Sequence, residues 1–350
     1  MKAAVLRGGH MVVDEVADPV PGEGQVLVRT EACGICGSDL HAAQHADRMT
    51  ELTREAVSSA GVATGMAPLV FDSQQDLVMG HEFAAEVLEL GPGAVGVSPG
   101  QTVVSVPVVA DQRGIHAVGY SNDYPGGYAE RMLLSAGLLL PVPNGLDTGR
   151  AALTEPMAVG VHAVNRSAIA PGNAALVIGA GPVGLAVIAA LGLQGIEPIV
   201  AADFSPRRRQ LATTMGAHEV VDPREEPAID AWRRIGARHP LVIFEAVGVP
   251  GVIDQAMRAA PQQAEIVVVG VCMETDQLQP FMGITKELTV KFSMAYNPME
   301  FASTLQSIAE GTLDVSPLIT GTVGIDGVPQ AFSDLANPDA HAKIVVDPKL

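Results

Sequence analysis

A chain of 350 residues, 48% hydrophobic and 17% charged, is long enough for two domains and a large buried core. The net charge is −18, with 21 Lys plus Arg against 39 Asp plus Glu, which disfavours sequence-independent nucleic-acid binding and docking on anionic membranes. Three cysteines, Cys33, Cys36 and Cys272, cannot build a disulfide framework, so the chain reads as cytoplasmic.

Residues 1–150 are β-rich. Met1–Arg7 has one short apolar run and no small-residue cleavage site, and reads as a first strand rather than a signal peptide. Strands are expected at Ala3–Leu6, Val26–Glu31, Phe83–Leu90 and Thr102–Val106, punctuated by Pro21-Gly22, Gly91-Pro92-Gly93 and Pro125-Gly126-Gly127. Asp47–Ser59 is polar, free of Gly and Pro, and predicts a short helix, with a loop over Ala60–Pro68. From about residue 153 strands and helices alternate. Strands are expected at Ala174–Ile178, Pro198–Ala202, Glu219–Val221, Leu241–Glu245 and Ile266–Val271, and helices at Val183–Leu191 and Pro206–Met215. Such alternation implies an α/β fold with a doubly wound parallel sheet. The tail predicts a helix at Met299–Ala309 and a last strand at Lys343–Val346. The uncharged run Ala174–Leu193 is long enough to suggest a membrane span. It contains Pro182 and the glycines of a turn, and parses as strand, turn and helix instead.

Gly179-Ala180-Gly181-Pro182-Val183-Gly184 follows a strand and opens a helix, the context in which this spacing binds a dinucleotide. Gly179 permits the tight turn, Gly181 admits a pyrophosphate, and Gly184 allows close helix packing. Asp203 lies 24 residues after Gly179 (203 − 179), where a carboxylate bonds the adenosine ribose and repels a 2′-phosphate. NAD is therefore expected over NADP, with Arg207, Arg208 and Arg209 as the counter-indication.

Cys36, His81 and Glu155 are candidate zinc ligands, a thiolate, an imidazole and a carboxylate that leave one position open. Cys33 reads as a small buried residue. Taken singly, each candidate could equally be a core cysteine, a hydrogen-bonded histidine or a helix cap. The flanks decide. Gly34-Ile35-Cys36-Gly37-Ser38-Asp39-Leu40-His41, Gly80-His81-Glu82, Gly126-Gly127-Tyr128-Ala129-Glu130, Glu155-Pro156 and the fingerprint together resemble the zinc-dependent medium-chain dehydrogenases, the family of zinc alcohol, sorbitol and threonine dehydrogenases.

The resemblance spans essentially the whole chain. It implies a GroES-like catalytic domain at 1–152, a Rossmann domain at 153–297 and a return to the first domain at 298–350. It makes Cys36 and His81 zinc ligands and gives Glu155 the third position, bound directly or through water. It lets Glu82 enter when the metal shifts, and makes Asp39 the acid behind the metal-bound imidazole. Ser38 would take the substrate proton and His41 would pass it to solvent through the cofactor ribose. Pro182 and Val183 open the cofactor-binding helix, Arg208 approaches the adenosine ribose, and Lys343 approaches the pyrophosphate. A homodimer or homotetramer is implied.

Two departures from the family stand out. Residues 91–125 contain no cysteine, so the structural zinc of many relatives is not expected and one zinc per chain is. The spacing from Cys36 to His81 is 45 residues (81 − 36), longer than in the resembling branches. The extra segment, about 44–76, is expected either to narrow the substrate cleft or to form an exposed or subunit-contact excursion. The leading expectation is a zinc- and NAD-dependent dehydrogenase of a secondary alcohol or polyol. The alternatives are a primary-alcohol or aldehyde enzyme with tightly held cofactor, and a non-catalytic NAD-binding protein on the same fold.

Overall fold

The computed structural model describes residues 1–60 and 69–350, with only the backbone at Ala60. The chain divides into two compact units. One comprises Met1–Glu155, Ile319–Asn337 and Lys343–Leu350, the other Pro156–Leu318 and Pro338–Ala342.

The first unit begins with a hairpin of β1 (Lys2–Arg7) and β2 (His10–Glu15). Then come β3 (Gln25–Gly34), α1 (Gly37–Ala60), β4 (Glu82–Leu90), β5 (Thr102–Ser105), β6 (Val108–Asp111), β7 (Gly114–Ala117), β8 (Arg131–Ser135), β9 (Leu139–Pro141) and α2 (Thr148–Ala152). The alternating side chains of β3 suit a strand with neighbours on both edges, and it pairs with β4 and β8. Helix α1 is longer than the sequence predicts. It starts at Gly37 and breaks at His45 (φ −137°, ψ 38°), so the expected Asp47–Ser59 helix is only its second half. Small polar residues make the helix start, with Asp39 in the first turn facing the positive end of the dipole. The expected Ala60–Pro68 loop lies outside the described residues.

The second unit takes up α3 (Thr154–Arg166) and runs through β10 (Ala174–Ile178), α4 (Pro182–Leu193), β11 (Ile199–Ala202), α5 (Pro206–Thr214), β12 (Glu219–Val221) and α6 (Ala228–Ile235). It continues with β13 (Leu241–Glu245), α7 (Val252–Ala259), β14 (Glu265–Val268), α8 (Pro280–Lys286), β15 (Thr289–Phe292) and α9 (Pro298–Ala309). Its six strands are all parallel in the order β12-β11-β10-β13-β14-β15, with the direction of winding reversing between β10 and β13. That is the dinucleotide-binding order, with its crevice at the carboxyl end of β10. Helices pack on the sheet, and its central strands β10, β11, β13 and β14 are almost wholly buried. Leu176, Val200, Ile243 and Ile266 form one core with Trp232 and Met257. Helix α9 belongs to this unit rather than to the tail. Asn297 and Glu300 form its capping box, and the Glu300 carboxylate also accepts from Asn165 (2.9 Å) and bonds His162 Nδ1 (2.7 Å), both on α3.

The chain returns to the first unit with β16 (Ile319–Val323), α10 (Val328–Leu335) and β17 (Lys343–Val346). Strand β17 closes the free edge at the end of β3, in a sheet ordered β16-β17-β3-β4-β5-β9 with β8 also on β3. Register sets Gly34 opposite Glu82 on one side and Val345 on the other. Among the described residues no helix is long and apolar enough to cross a membrane.

Candidate metal centre and nucleotide site

Cys36 stands between the end of β3 and the start of α1, while His81 and Glu82 stand where β4 begins. Their ligand atoms lie within 4.8 Å of one another, the one such group among the described residues that could hold a metal ion. Thiolate, imidazole and carboxylate suit zinc. The ring orientation of His81 fits this use. Its Nδ1 faces Asp39 Oδ1 at 3.3 Å, off alignment for a hydrogen bond and with no other partner, so Nε2 is the nitrogen that would be left for a metal. Burial favours the neutral imidazole, but the charges of Asp39 and Cys36 outweigh it and hold the His81 pKa well above its usual value.

Asp39 is fully buried, which alone would raise its pKa; His81, Tyr128 and Tyr120 overcome this and keep it ionised. It accepts from the Cys36 N–H (3.1 Å), from the Tyr128 hydroxyl (2.6 Å) and from the Tyr120 hydroxyl (2.8 Å). Asp39 lies beside His81, and the two tyrosines that also hold it had no role in the sequence reading. One signal existed: three of the chain's four tyrosines, Tyr120, Tyr124 and Tyr128, recur at a spacing of four just after Gly119.

The structure gathers Glu82, not Glu155, with Cys36 and His81. Glu155 is buried in the first turn of α3, outside that 4.8 Å group, and acts electrostatically on Lys343. Lys343 also departs from expectation. Instead of reaching toward a pyrophosphate it is buried, donating to Glu82 Oε1 (2.6 Å), Glu82 Oε2 (2.7 Å) and the Ile35 carbonyl (3.0 Å). Burial would strip its charge; Glu82, Cys36 and Glu155 offset this and raise its pKa above the usual 10.5. Gly34 makes the space for the pair, because a Cβ there would stand 2.1 Å from Glu82 Oε2.

Ser38 and His41 lie three residues apart near the start of α1, hence on one face of the helix. Ser38 is half-buried and His41 exposed. Protein packed against the His41 ring, and His45 nearby, hold its pKa below 6.5. Thr50 bonds the Phe71 carbonyl, and the Phe71 ring lies 6.4 Å from that of Tyr120, itself 5.3 Å from the His81 ring.

In the second unit the fingerprint adopts the expected form. Gly179 has φ +92°, and a Cβ at Gly184 would stand 1.9 Å from the Gly179 carbonyl. Gly181 caps α4, Pro182 and Val183 open it, and the helix N-terminus offers its N–H groups to an anion. Asp203 directly follows β11 and braces the glycine turn, accepting from Ala180 N and Ser205 N at 2.8 Å each. Arg208 Nη1 is 3.9 Å from Asp203 Oδ2 and would lie 3.8 Å from a Gly181 Cβ, so it stands beside the turn. Arg209 is committed elsewhere, to the carbonyls of Asp203 and Phe204 and to Asp222.

A metal-ligand cluster on one unit and a parallel-sheet dinucleotide site on the other define an NAD(P)-dependent alcohol oxidoreductase. Comparison with known proteins agrees. Residues 22–144 match the alcohol dehydrogenase GroES-like domain and residues 182–310 the zinc-binding dehydrogenase domain. The chain is 31% identical to the (R,R)-butanediol dehydrogenase of Bacillus subtilis strain 168, covering 96% of each protein. The crystal structure of the Bacillus subtilis 2R,3R-butanediol dehydrogenase superposes with a TM-score of 0.82 at 30% identity, over 99% of both chains. Identity to the L-galactonate-5-dehydrogenase of Escherichia coli K12 is 30%, over 86% of this chain and 85% of that one. A protein described as a zinc-binding dehydrogenase from Sinorhizobium meliloti 1021, solved with NADP bound, superposes with a TM-score of 0.82 at 27% identity over 99% of both chains. The chain belongs to the zinc-dependent medium-chain dehydrogenase family.

Proposed function

We propose that this enzyme transfers hydride between a secondary alcohol or polyol, or its ketone, and NAD at a single zinc per chain. The observation that carries the reading is the Cys36–His81–Glu82 cluster, with Asp39 behind the imidazole and Ser38 and His41 on one face of the adjoining helix. Cys36 and His81 would hold the metal, with Glu82 or Glu155 supplying the carboxylate. Zinc held there would supply Lewis-acid chemistry that makes an alcohol proton labile, and a nicotinamide held by the second unit would supply the hydride acceptor. Ser38 receives the alcohol proton, and His41, exposed and neutral at physiological pH, passes it to water. In the reverse direction the same groups return the proton.

The cofactor preference rests on Asp203, whose carboxylate stands at the end of β11 where a 2′-phosphate would meet its charge. The substrate class follows the relatives, which act on butanediol and galactonate. The test is reduction of NAD and NADP over a panel of alcohols that includes 2R,3R-butanediol and L-galactonate, before and after zinc chelation. Chelator-sensitive turnover with NAD is expected, and Cys36→Ala is expected to lose zinc and activity together. Turnover that survives complete removal of zinc would refute the reading.

A further inference from the structure

Glu245 is the last residue of β13 and is 1% exposed. Burying a carboxyl group is costly unless hydrogen bonds repay it, and here the bonds come from main chain. Its Oε1 accepts from Val247 N (2.8 Å) and Gly248 N (2.9 Å), in the turn after β13. Its carbonyl oxygen accepts from Val269 N (2.8 Å) and Gly270 N (2.9 Å), just past β14. One residue thus ties the carboxyl ends of two neighbouring strands. Glycine lets the two segments close on each other, since a Cβ on Gly270 would stand 2.3 Å from Gly248 N and 2.9 Å from Glu245 Oε2. Val247 extends the tie to a third strand end, because a Cβ on Gly179 in the fingerprint turn would stand 2.7 Å from Val247 Cγ2. What Glu245 holds in place is apolar and open: Val247 is 44% and Val271 63% exposed.

A dinucleotide lies across the switch point between β10 and β13, with its pyrophosphate at the start of α4. Asp203 assigns the adenosine half to the β11 side, so the other half falls to the side of β13 and β14, where Val247 and Val271 stand open. Resting on the nicotinamide cofactor of the proposed function, we infer that Glu245 is a positioning residue for that half: it fixes the Val247 and Val271 shelf on which the nicotinamide riboside rests. Glu245 touches no cofactor atom and exchanges no proton in the reaction. Without its carboxyl group two buried N–H groups lose their acceptor, the turn after β13 opens, and the shelf no longer waits in its binding form. The adenosine side keeps its own brace, the bonds from Asp203 to Ala180 N and Ser205 N.

The test compares two ligands on the full-length, zinc-loaded protein. One is NADH or NADPH, whichever the wild type binds more tightly, followed by nicotinamide fluorescence. The other is AMP, followed by calorimetry, which occupies the adenosine side alone. In Glu245→Met, which fills the volume but accepts no hydrogen bond of strength, the Kd of the reduced cofactor should rise about tenfold while that of AMP stays at the wild-type value. Glu245→Gln keeps an amide oxygen that accepts both N–H groups, and should bind both ligands as the wild type does. Gly270→Ala leaves Glu245 in place, drives a methyl group against Gly248 N, and should show the same selective loss. Wild-type cofactor binding by Glu245→Met would overturn the inference. So would equal weakening of the cofactor and AMP, which would make Glu245 a prop for the whole unit. Should Glu245→Met fail to fold, Gly270→Ala decides by the same two criteria. A wild type that binds neither NADH nor NADPH would overturn the cofactor reading and the inference with it, whereas a binding wild type with unselective variants overturns the inference alone.

Discussion

His41 carries the clearest pH prediction at the scale of single residues. Packing and His45 hold its pKa below 6.5, so it remains a proton acceptor through neutral pH and becomes charged only in more acidic solution. Alcohol oxidation by the wild type should therefore lose rate below that range. His41→Ala should be slow already above it, its deficit narrowing as the wild type itself protonates, with zinc retained. A pH–kcat profile of the two proteins checks this. The pair of Glu82 and Lys343 makes a second prediction. Removing one partner of a buried, hydrogen-bonded ion pair typically costs about 3–5 kcal/mol, so Lys343→Met should lower stability to denaturant by that order. Adding Glu82→Gln should recover part of the loss. The sequence motifs made Cys36, His81, Asp203 and the glycines legible because each demands a local backbone form. Lys343 was not legible, because its partner Glu82 is 261 residues away and only the pairing of β17 with β3 brings them together.

At the scale of elements, the cysteine-free stretch 91–125 contains a polar cluster. The β6–β7 hairpin is gathered on Asp111, which accepts from Arg113 N (2.7 Å) and Arg113 Nε (2.8 Å), from the Tyr124 hydroxyl (2.8 Å), and bonds His116 Nε2 (2.8 Å). Gln25 ties the cluster to β3 by donating to the Ala110 carbonyl. Partial burial would raise the Asp111 pKa, but the His116, Tyr124 and Arg113 hydrogen bonds hold it far below the usual carboxylate range. A carboxyl depressed in the folded state stabilises above its unfolded pKa of about 4 and loses that contribution as the pH falls further. Asp111→Asn should therefore lower the melting temperature at pH 7, by a margin that shrinks as acid protonates the wild-type carboxyl. Metal analysis of the active protein should find one zinc per chain. The strand–helix rhythm of the second unit was readable from apolar runs between Gly and Pro, and four of its strands carry the same bounds or differ by one or two residues. The start of α1 was hidden because the residues that begin it are those that also make turns.

Across the whole molecule the order of the strands is the property that local pattern does not encode, since the central strands of the parallel sheet are similarly apolar and their order depends on which crossovers pack. That order leaves β15 at the edge, with Phe292 (64%) and Met294 (59%) exposed, and Phe281 (62%) and Ile284 (73%) on α8. An open, apolar edge strand invites pairing with a like strand. The homo-oligomer implied by the family resemblance is expected to use this edge. Phe292→Asp combined with Ile284→Asp should shift the protein to monomer in sedimentation velocity, whereas an unchanged assembly would place the interface elsewhere.

The union of Glu82 with Lys343 also bears on how the chain is made. Glu82 leaves the ribosome with Cys36 and His81, but its counter-charge follows 261 residues later. Until then the exposed end of β3 has no β17 beside it, and the carboxylate beside the metal ligands has no ammonium to bury against. The nucleotide-binding unit can complete itself during synthesis, because its segments are nearly contiguous. The metal-binding unit, although begun first, is completed only after the other, and its site cannot close until β17 has been made.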